Sequence, residues 1–196
     1  VFSNLQFADA GELENHPEVV RLNGRPLCSR EAYLVVNQPI PDAPPGRPKR
    51  RFLQLRGIDD PEISASIHNL SLYEGGQWFS QAGVRQLSGS PDGAAESAPA
   101  IEVVVGEGIA RELSRDRTAA AIQDARNAQR LDVGDVFTLA GRQWLVAGVM
   151  QSAGSTFDSE VWAKRSIIGP MFGKDTYTSL VLRATDGSAA ERLKDF

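Results

Sequence analysis

The chain has little of what most catalytic or membrane-spanning chemistry is made from. Its 196 residues include one cysteine, Cys28, and two histidines, His16 and His68. A single cysteine excludes an intramolecular disulfide framework and a thiolate cluster for zinc. The histidines stand far apart, and neither has a ligand partner at helical spacing, so the sequence encodes no metal pair on one helix face. Aromatic residues amount to 7%. No run approaches the ~20 apolar residues of a spanning helix; the longest, at 101–105 and 144–150, have strand length. There is no Gly-x-x-x-x-Gly-Lys-Ser/Thr loop to cradle a nucleotide. Charge of one sign is also scarce: 21 Lys and Arg against 25 Asp and Glu give a net −4, which argues against nucleic-acid binding through clustered positive charge.

What remains is an ordinary globular composition with 41% hydrophobic residues, enough for one large domain or two small ones. The pattern predicts a helix over 7–16 ending before Pro17, then a weak strand at 18–22. Strands follow at 32–38 and 51–58, where Leu53 and Leu55 share one face and Gln54 and Arg56 the other. Between them Pro39, Pro41, Pro44, Pro45 and Pro48 cannot donate to a ladder, so 39–48 reads as an exposed hairpin-type loop. Asp59-Asp60-Pro61-Glu62 opens a short helix. Gly75-Gly76 and Gly134 are expected in tight turns, and 88–99, rich in Ser, Gly, Ala and Pro, as a second loop. Residues 101–105 form a buried strand leading through Gly106-Glu107-Gly108 into a helix that buries Ile109, Ala110 and Leu113. A weakly amphipathic helical segment is expected at 117–130. Strands at 136–140 and 143–151 come next, the second apolar on both faces and so central. The last strand is at 179–184, followed by a helix from 188. The class is α+β.

Each residue set with chemical potential has a structural alternative. Gly106-Glu107-Gly108 sits where a dinucleotide fold places its phosphate turn, but the pattern's third glycine is Arg111, and a carboxylate at that spot suits the helix dipole by itself. Ser155 lacks a nucleophile elbow. Asp158 and Glu160, on one side of an extended segment, fit paired carboxylate chemistry or a solvated edge. Arg47, Lys49, Arg50 and Arg51 form the one basic cluster, read as a solvated loop or a contact for anionic headgroups. Trp78, Phe79, Trp144 and Trp162 form either an aromatic platform or core. No catalytic, cofactor-binding or metal-binding residue is assigned.

Taken in order, several segments carry a resemblance. They are Leu72-Tyr73-Glu74-Gly75-Gly76-Gln77-Trp78-Phe79-Ser80, Val103-Val104-Val105-Gly106-Glu107-Gly108-Ile109-Ala110, and Leu131-Asp132-Val133-Gly134-Asp135-Val136-Phe137-Thr138-Leu139. Trp144-Leu145-Val146-Ala147-Gly148-Val149, Gly154-Ser155-Thr156-Phe157-Asp158-Ser159-Glu160-Val161-Trp162 and Ser179-Leu180-Val181-Leu182-Arg183 complete the set. With this order and spacing, residues 52–184 resemble the extracytoplasmic core domain of MacB/FtsX-type ABC transporter permeases, with 115–130 standing out as an insertion.

The resemblance implies a porter-like α/β subdomain built from 1–58 and 174–196 and a mostly β subdomain at 59–173. It further implies a non-catalytic domain on the periplasmic face of the cytoplasmic membrane. Such a domain couples ATP-driven movement of membrane helices to transport, extrusion or signalling. No cofactor is implied in this chain, ATP being used by a separate ATPase subunit or domain. The implied partners are that ABC ATPase, a second permease copy and a periplasmic adaptor or other extracytoplasmic protein. The chain is then expected to be the middle of a membrane protein, flanked by spanning helices before Val1 and after Phe196. A secreted ligand-binding protein or hydrolase, and an activator of a cell-wall enzyme, are the alternatives.

Overall fold

The computed structural model describes residues 7–40, 46, 48–87, 99–174 and 176–194. The chain forms two units. One comprises Val1–Leu34, Arg56–Leu70 and Arg165–Phe196, the other Val35–Leu55 and Ser71–Lys164.

The first unit opens with helix α1 (Phe7–Glu14) and a small hairpin of β1 (Arg21–Leu22) and β2 (Arg25–Pro26). Asn23 and Gly24 turn that hairpin with φ of 53° and 78°, the positive pair that a two-residue primed turn demands. Two long strands then contribute to both units: β3 (Cys28–Pro39) and β4 (Arg50–Ile58). Helix α2 (Pro61–His68) starts where its sequence says it should. Asp60 accepts from the Ile63 N–H at 3.1 Å, Pro61 sits where its missing N–H costs nothing, and Asn69 closes the helix at φ 53°.

In the second unit the short β5 (Val84–Arg85) pairs with β6 (Ala100–Gly106), whose residues are all buried. Next come helix α3 (Glu107–Ser114), a single-turn α4 (Ala119–Gln123), β7 (Val136–Leu139), β8 (Arg142–Met150) and β9 (Glu160–Lys164). The strands stand in the order β4-β9-β6-β8-β7. β6 and β8 run parallel, as a crossover through α3 requires, while β7 and β8 form an antiparallel hairpin about Ala140 and Gly141. The first unit is completed by α5 (Arg165–Met171), β10 (Ser179–Leu182) antiparallel to Cys28–Glu31 of β3, and α6 (Gly187–Lys194).

β7 covers only the start of β8. Beyond it the Gly134 N–H donates to Val146 O, Gln77 to Ala147 O, Tyr73 to Val149 O, and Gln151 to Ser71 O, each at 2.9 Å. The segment 71–77 therefore lies along β8, and Gly76 and Gly148 permit the approach. A Cβ on Gly148 would meet Gln77 O at 2.9 Å, and one on Gly76 would meet Tyr73 O at 3.0 Å.

Several expectations change. Gly75 and Gly134 have positive φ, 79° and 96°, but Gly76 does not; it is glycine because of close packing. The expected helix at 117–130 shrinks to Ala119–Gln123. The Asn127 side chain accepts from Gln129 and Arg130 N–H groups, and Arg117 donates to Asn127 O and Ala128 O, so local bonds replace helical ones. β9 and α5 were not anticipated: Gly169 and Pro170 argue against a helix that nonetheless forms. The division also differs from 1–58 with 174–196 against 59–173. Residues 35–55 belong with the β-rich unit because Gln38 and Arg51 are anchored there, to Thr138 O and Asp116. α2 and α5 belong with the other, where Ser64 meets Ser29 and Arg165 meets Asp59. The expected loops at 39–48 and 88–99 fall largely outside the described residues.

Gly148→Ala is expected to lower stability by ~1–3 kcal/mol, because the added methyl runs into backbone. Gly187→Ala, whose methyl meets nothing within 4 Å, is expected to leave it unchanged. Melting temperatures of the two variants check this.

Candidate functional site

Glu31 is the most consequential polar group of the first unit. It is wholly buried, and its carboxylate gathers four side chains: Ser29 Oγ donates to Oε1 at 2.7 Å, His68 Nε2 stands 2.6 Å from Oε1, Arg56 pairs with Oε2, and Ser179 Oγ lies 3.4 Å from Oε2. Burial alone would raise its pKa. The His68 hydrogen bond, the Arg56 charge and the Ser29 hydroxyl outweigh that and hold it below the ordinary carboxylate value. The Ser29 hydroxyl is spent on Glu31 and on Ser64, 2.7 Å away, so no ring nitrogen draws a proton from it as a nucleophile would require.

Beside this network lies a cleft of about 270 Å³, whose lining includes Cys28, Ser29, Arg30, Asp59, Asp60 and Ser64. Its charges neutralise one another: Arg25 pairs with Asp60, Arg30 with Glu14, and Asp59 with Arg165 and the Tyr177 hydroxyl. Burial, then the neighbouring Glu31 charge, pushes the Cys28 thiol up to about 11, so it holds its proton at neutral pH.

In the second unit the β6–α3 junction takes the place of a phosphate turn, and the chain fills it. Asp158 Oδ1 accepts from the Gly108 N–H at 2.9 Å, and the Glu107 N–H donates to Ser152 Oγ at 3.1 Å. A Cβ on Gly106 would strike Phe157 O at 2.2 Å. These glycines exist to admit the chain's own 156–159 turn, and its carboxylate occupies the positive end of the helix. Glu107 accepts from the Tyr73 hydroxyl at 2.7 Å and pairs with Arg111, while Arg130 lies 4.0 Å over the Tyr73 ring. The bond to Glu107, followed by burial, raises the Tyr73 pKa.

The other candidates disperse. Asp158 and Glu160 do not form a carboxylate pair: Glu160 is buried and accepts from Trp162 Nε1 at 2.9 Å. His16 Nδ1 accepts from the Glu18 N–H at 3.3 Å, and Ser155 Oγ donates to Ser152 O. Arg51 is buried on Gln38 and Asp116, Arg50 points out against Asn37, Lys49 is exposed, and Arg47 lies outside the described residues. Trp162 stacks on Trp78 and meets Phe157 edge-on, whereas Trp144 pairs with Phe137; Trp144 and Trp162 are fully buried core. Among the described residues no group of His, Cys, Asp or Glu is placed to hold a metal ion, and no helix is long and apolar enough to cross a membrane. Sequence reading missed the Glu31 cluster, whose members are drawn from β3, β4, α2 and β10 and share no local signal.

Comparison with known proteins places this geometry in a family. The family model for the MacB-like periplasmic core domain matches residues 32–195. The chain belongs to that family. As a MacB-like periplasmic core domain it is an extracytoplasmic part of an ABC-type transporter permease, and its fold is shared by solved relatives. One is the extracellular domain of the ABC-type transporter YknZ from Gram-positive bacteria, with TM-score 0.62 at 13% identity, covering 97% of this chain and 78% of that one. Another is the periplasmic region of MacB from Actinobacillus actinomycetemcomitans, with TM-score 0.60 at 14% identity, covering 98% and 72%. No curated protein sequence matches the chain. The Asp158 cap and the 71–77 lining of β8 both lie within the residues that the MacB-like model matches.

Two outcomes follow from the site chemistry. Because Glu31 has a depressed folded pKa, its contribution to stability is present above the unfolded value of about 4.5 and is lost as pH falls through the folded value. Glu31→Gln is expected to cost about 3 kcal/mol at neutral pH, by leaving Arg56 without its buried counter-charge, and to flatten the acid limb of stability. Urea midpoints from neutral pH downward measure both. Cys28 is expected to react with Ellman's reagent at neutral pH only after denaturation; rapid labelling of the native chain would contradict its burial.

Proposed function

We propose that this domain is the non-catalytic coupling part of its permease, transmitting ATP-driven movement of membrane helices to events on the extracytoplasmic side. The observation that carries the reading is the family match over 32–195, joined to buried Glu31 and Arg51 that each have a partner of opposite charge. In this reading ATP is hydrolysed by a separate ATPase subunit or domain, and this chain holds no cofactor. Anchoring comes from helices outside residues 1–196, and the working unit contains a second permease copy. An extracytoplasmic adaptor or effector receives the output. Coupling demands a body that moves without deforming, and close-packed cores with satisfied ion pairs meet that demand.

The test uses the whole permease with its ATPase in proteoliposomes. Replacing this domain by a flexible linker is expected to preserve basal ATP hydrolysis and to abolish the extracytoplasmic output. The isolated domain is expected to show no nucleotide binding by calorimetry. Micromolar nucleotide affinity, or unchanged output without the domain, would overturn the proposal.

A further inference from the structure

The outer part of the β3–β4 hairpin, residues 35–39 and 50–55, has two unlike faces. Gln38, Arg51, Leu53 and Leu55 are buried on one, and the Arg51 charge is neutralised there by Asp116. The other face presents Val35, 52% exposed, and Phe52, 71% exposed, the most exposed large apolar side chain among the described residues. Arg50 and Asn37 are also exposed there. Ile40 N–H donates to Lys49 O at 2.9 Å, and this register brings Phe52 opposite Asn37 and diagonal to Val35.

The positive charge of this face is not cancelled locally, as that of many arginines in the chain is. Arg25, Arg30, Arg51, Arg56, Arg111, Arg165 and Arg192 all pair with carboxylates. Arg50 instead donates to a neutral partner, Asn37 Oδ1 at 2.7 Å, and its positive charge remains uncancelled. Lys49 beside it is exposed and has no ion pair among the described residues. Strands β3 and β4 hold a single acid, Glu31, and that is buried far down the hairpin on Arg56 and His68. The face therefore holds an apolar pair beside cationic groups that no acid among the described residues neutralises. Removing Phe52 and Val35 from water rewards an apolar contact, and Arg50 with Lys49 rewards acidity in whatever makes it.

We infer that this face docks an acidic protein segment carrying apolar side chains, with Phe52 as the anchor and Arg50 and Lys49 as the charge determinants. The pattern of one aromatic beside an arginine on a pre-formed strand pair is that of an interface hot spot. A lipid surface is the less suited occupant, since Asn37 and Gln54 share the face and only one aromatic is available to insert. The inference does not depend on what the permease transports.

The test titrates the isotopically labelled chain with a short peptide of alternating Glu and Leu, with its Lys and Leu counterpart, and with phosphatidylglycerol vesicles. Amide shift changes at 35–38 and 49–54 are expected with the Glu-Leu peptide alone, weakening in high salt. Phe52→Ser and Arg50→Glu are expected each to weaken binding about tenfold or more, with melting temperatures unchanged. Equal binding of the Lys-Leu peptide, shifts elsewhere, vesicle binding through the same residues, self-association in place of peptide binding, or insensitivity to both substitutions would overturn it.

Discussion

Everything in the first unit answers to one constraint: a carboxylate without solvent must be surrounded by donors. Glu31 has no exposed surface, and isolating its charge from water would cost several kcal/mol unless that cost were offset. The offset fixes positions across the chain. Arg56 must come from β4, His68 from the last turn of α2, and Ser29 and Ser179 from adjacent strands in register, with Leu182 opposite Cys28 and Ser179 opposite Glu31 itself. A slip of one residue in β10 would turn Ser179 away from the carboxylate. The cluster therefore acts as a register lock, and specificity of pairing is its clearest physical role.

The second unit solves the same problem several times on a smaller scale. Glu102 lies within β6, where the Ser80 N–H and Arg85 satisfy it; Glu107 opens α3 under Tyr73 and Arg111; Glu160 opens β9 under Trp162. Glu102 and Glu107 tie Tyr73, Ser80 and Arg85 to the β6–α3 segment, whereas the Glu160 bond stays within β9. Asp158 does more than the others, because it satisfies an orphan donor of α3, the Gly108 N–H, and belongs to the turn that packs against Gly106 and Gly108. Segments far apart in sequence are thereby specified jointly, which is why the family resemblance resides in ordered fragments.

The sequence made some of this legible and concealed the rest for physical reasons. β6 and β8 could be read because burial on both faces leaves a largely apolar run, broken in β6 by Glu102, and α2 because Asp60 and Pro61 mark its start locally. β9 was hidden because Glu160 and Lys164 dilute its apolar residues, and α5 because Gly169 and Pro170 oppose helix and only tertiary context supplies the compensation. The β1–β2 hairpin went unread, although Asn23-Gly24 is the pair its turn requires. The Glu31 cluster had no local signal, since its members converge only in three dimensions. Asp158 stood out as a candidate through its neighbour Glu160, and structure separated the two.

The lining of β8 has a further consequence. β7 bonds its first residues, 134–135 the next, and 71–77 the remainder, so successive pieces of chain occupy one side of the strand from Arg142 to Gln151. An open side on so apolar a strand would be a template for another molecule's backbone, the route by which sheets stack into aggregates. The longest of these pieces, 71–77, is held by the close approach that Gly76 and Gly148 allow rather than by a regular strand. Loss of either glycine would therefore do more than soften a turn: it would uncover a sticky ribbon of unpaired peptide groups, and the damage would be read as insolubility before it was read as unfolding.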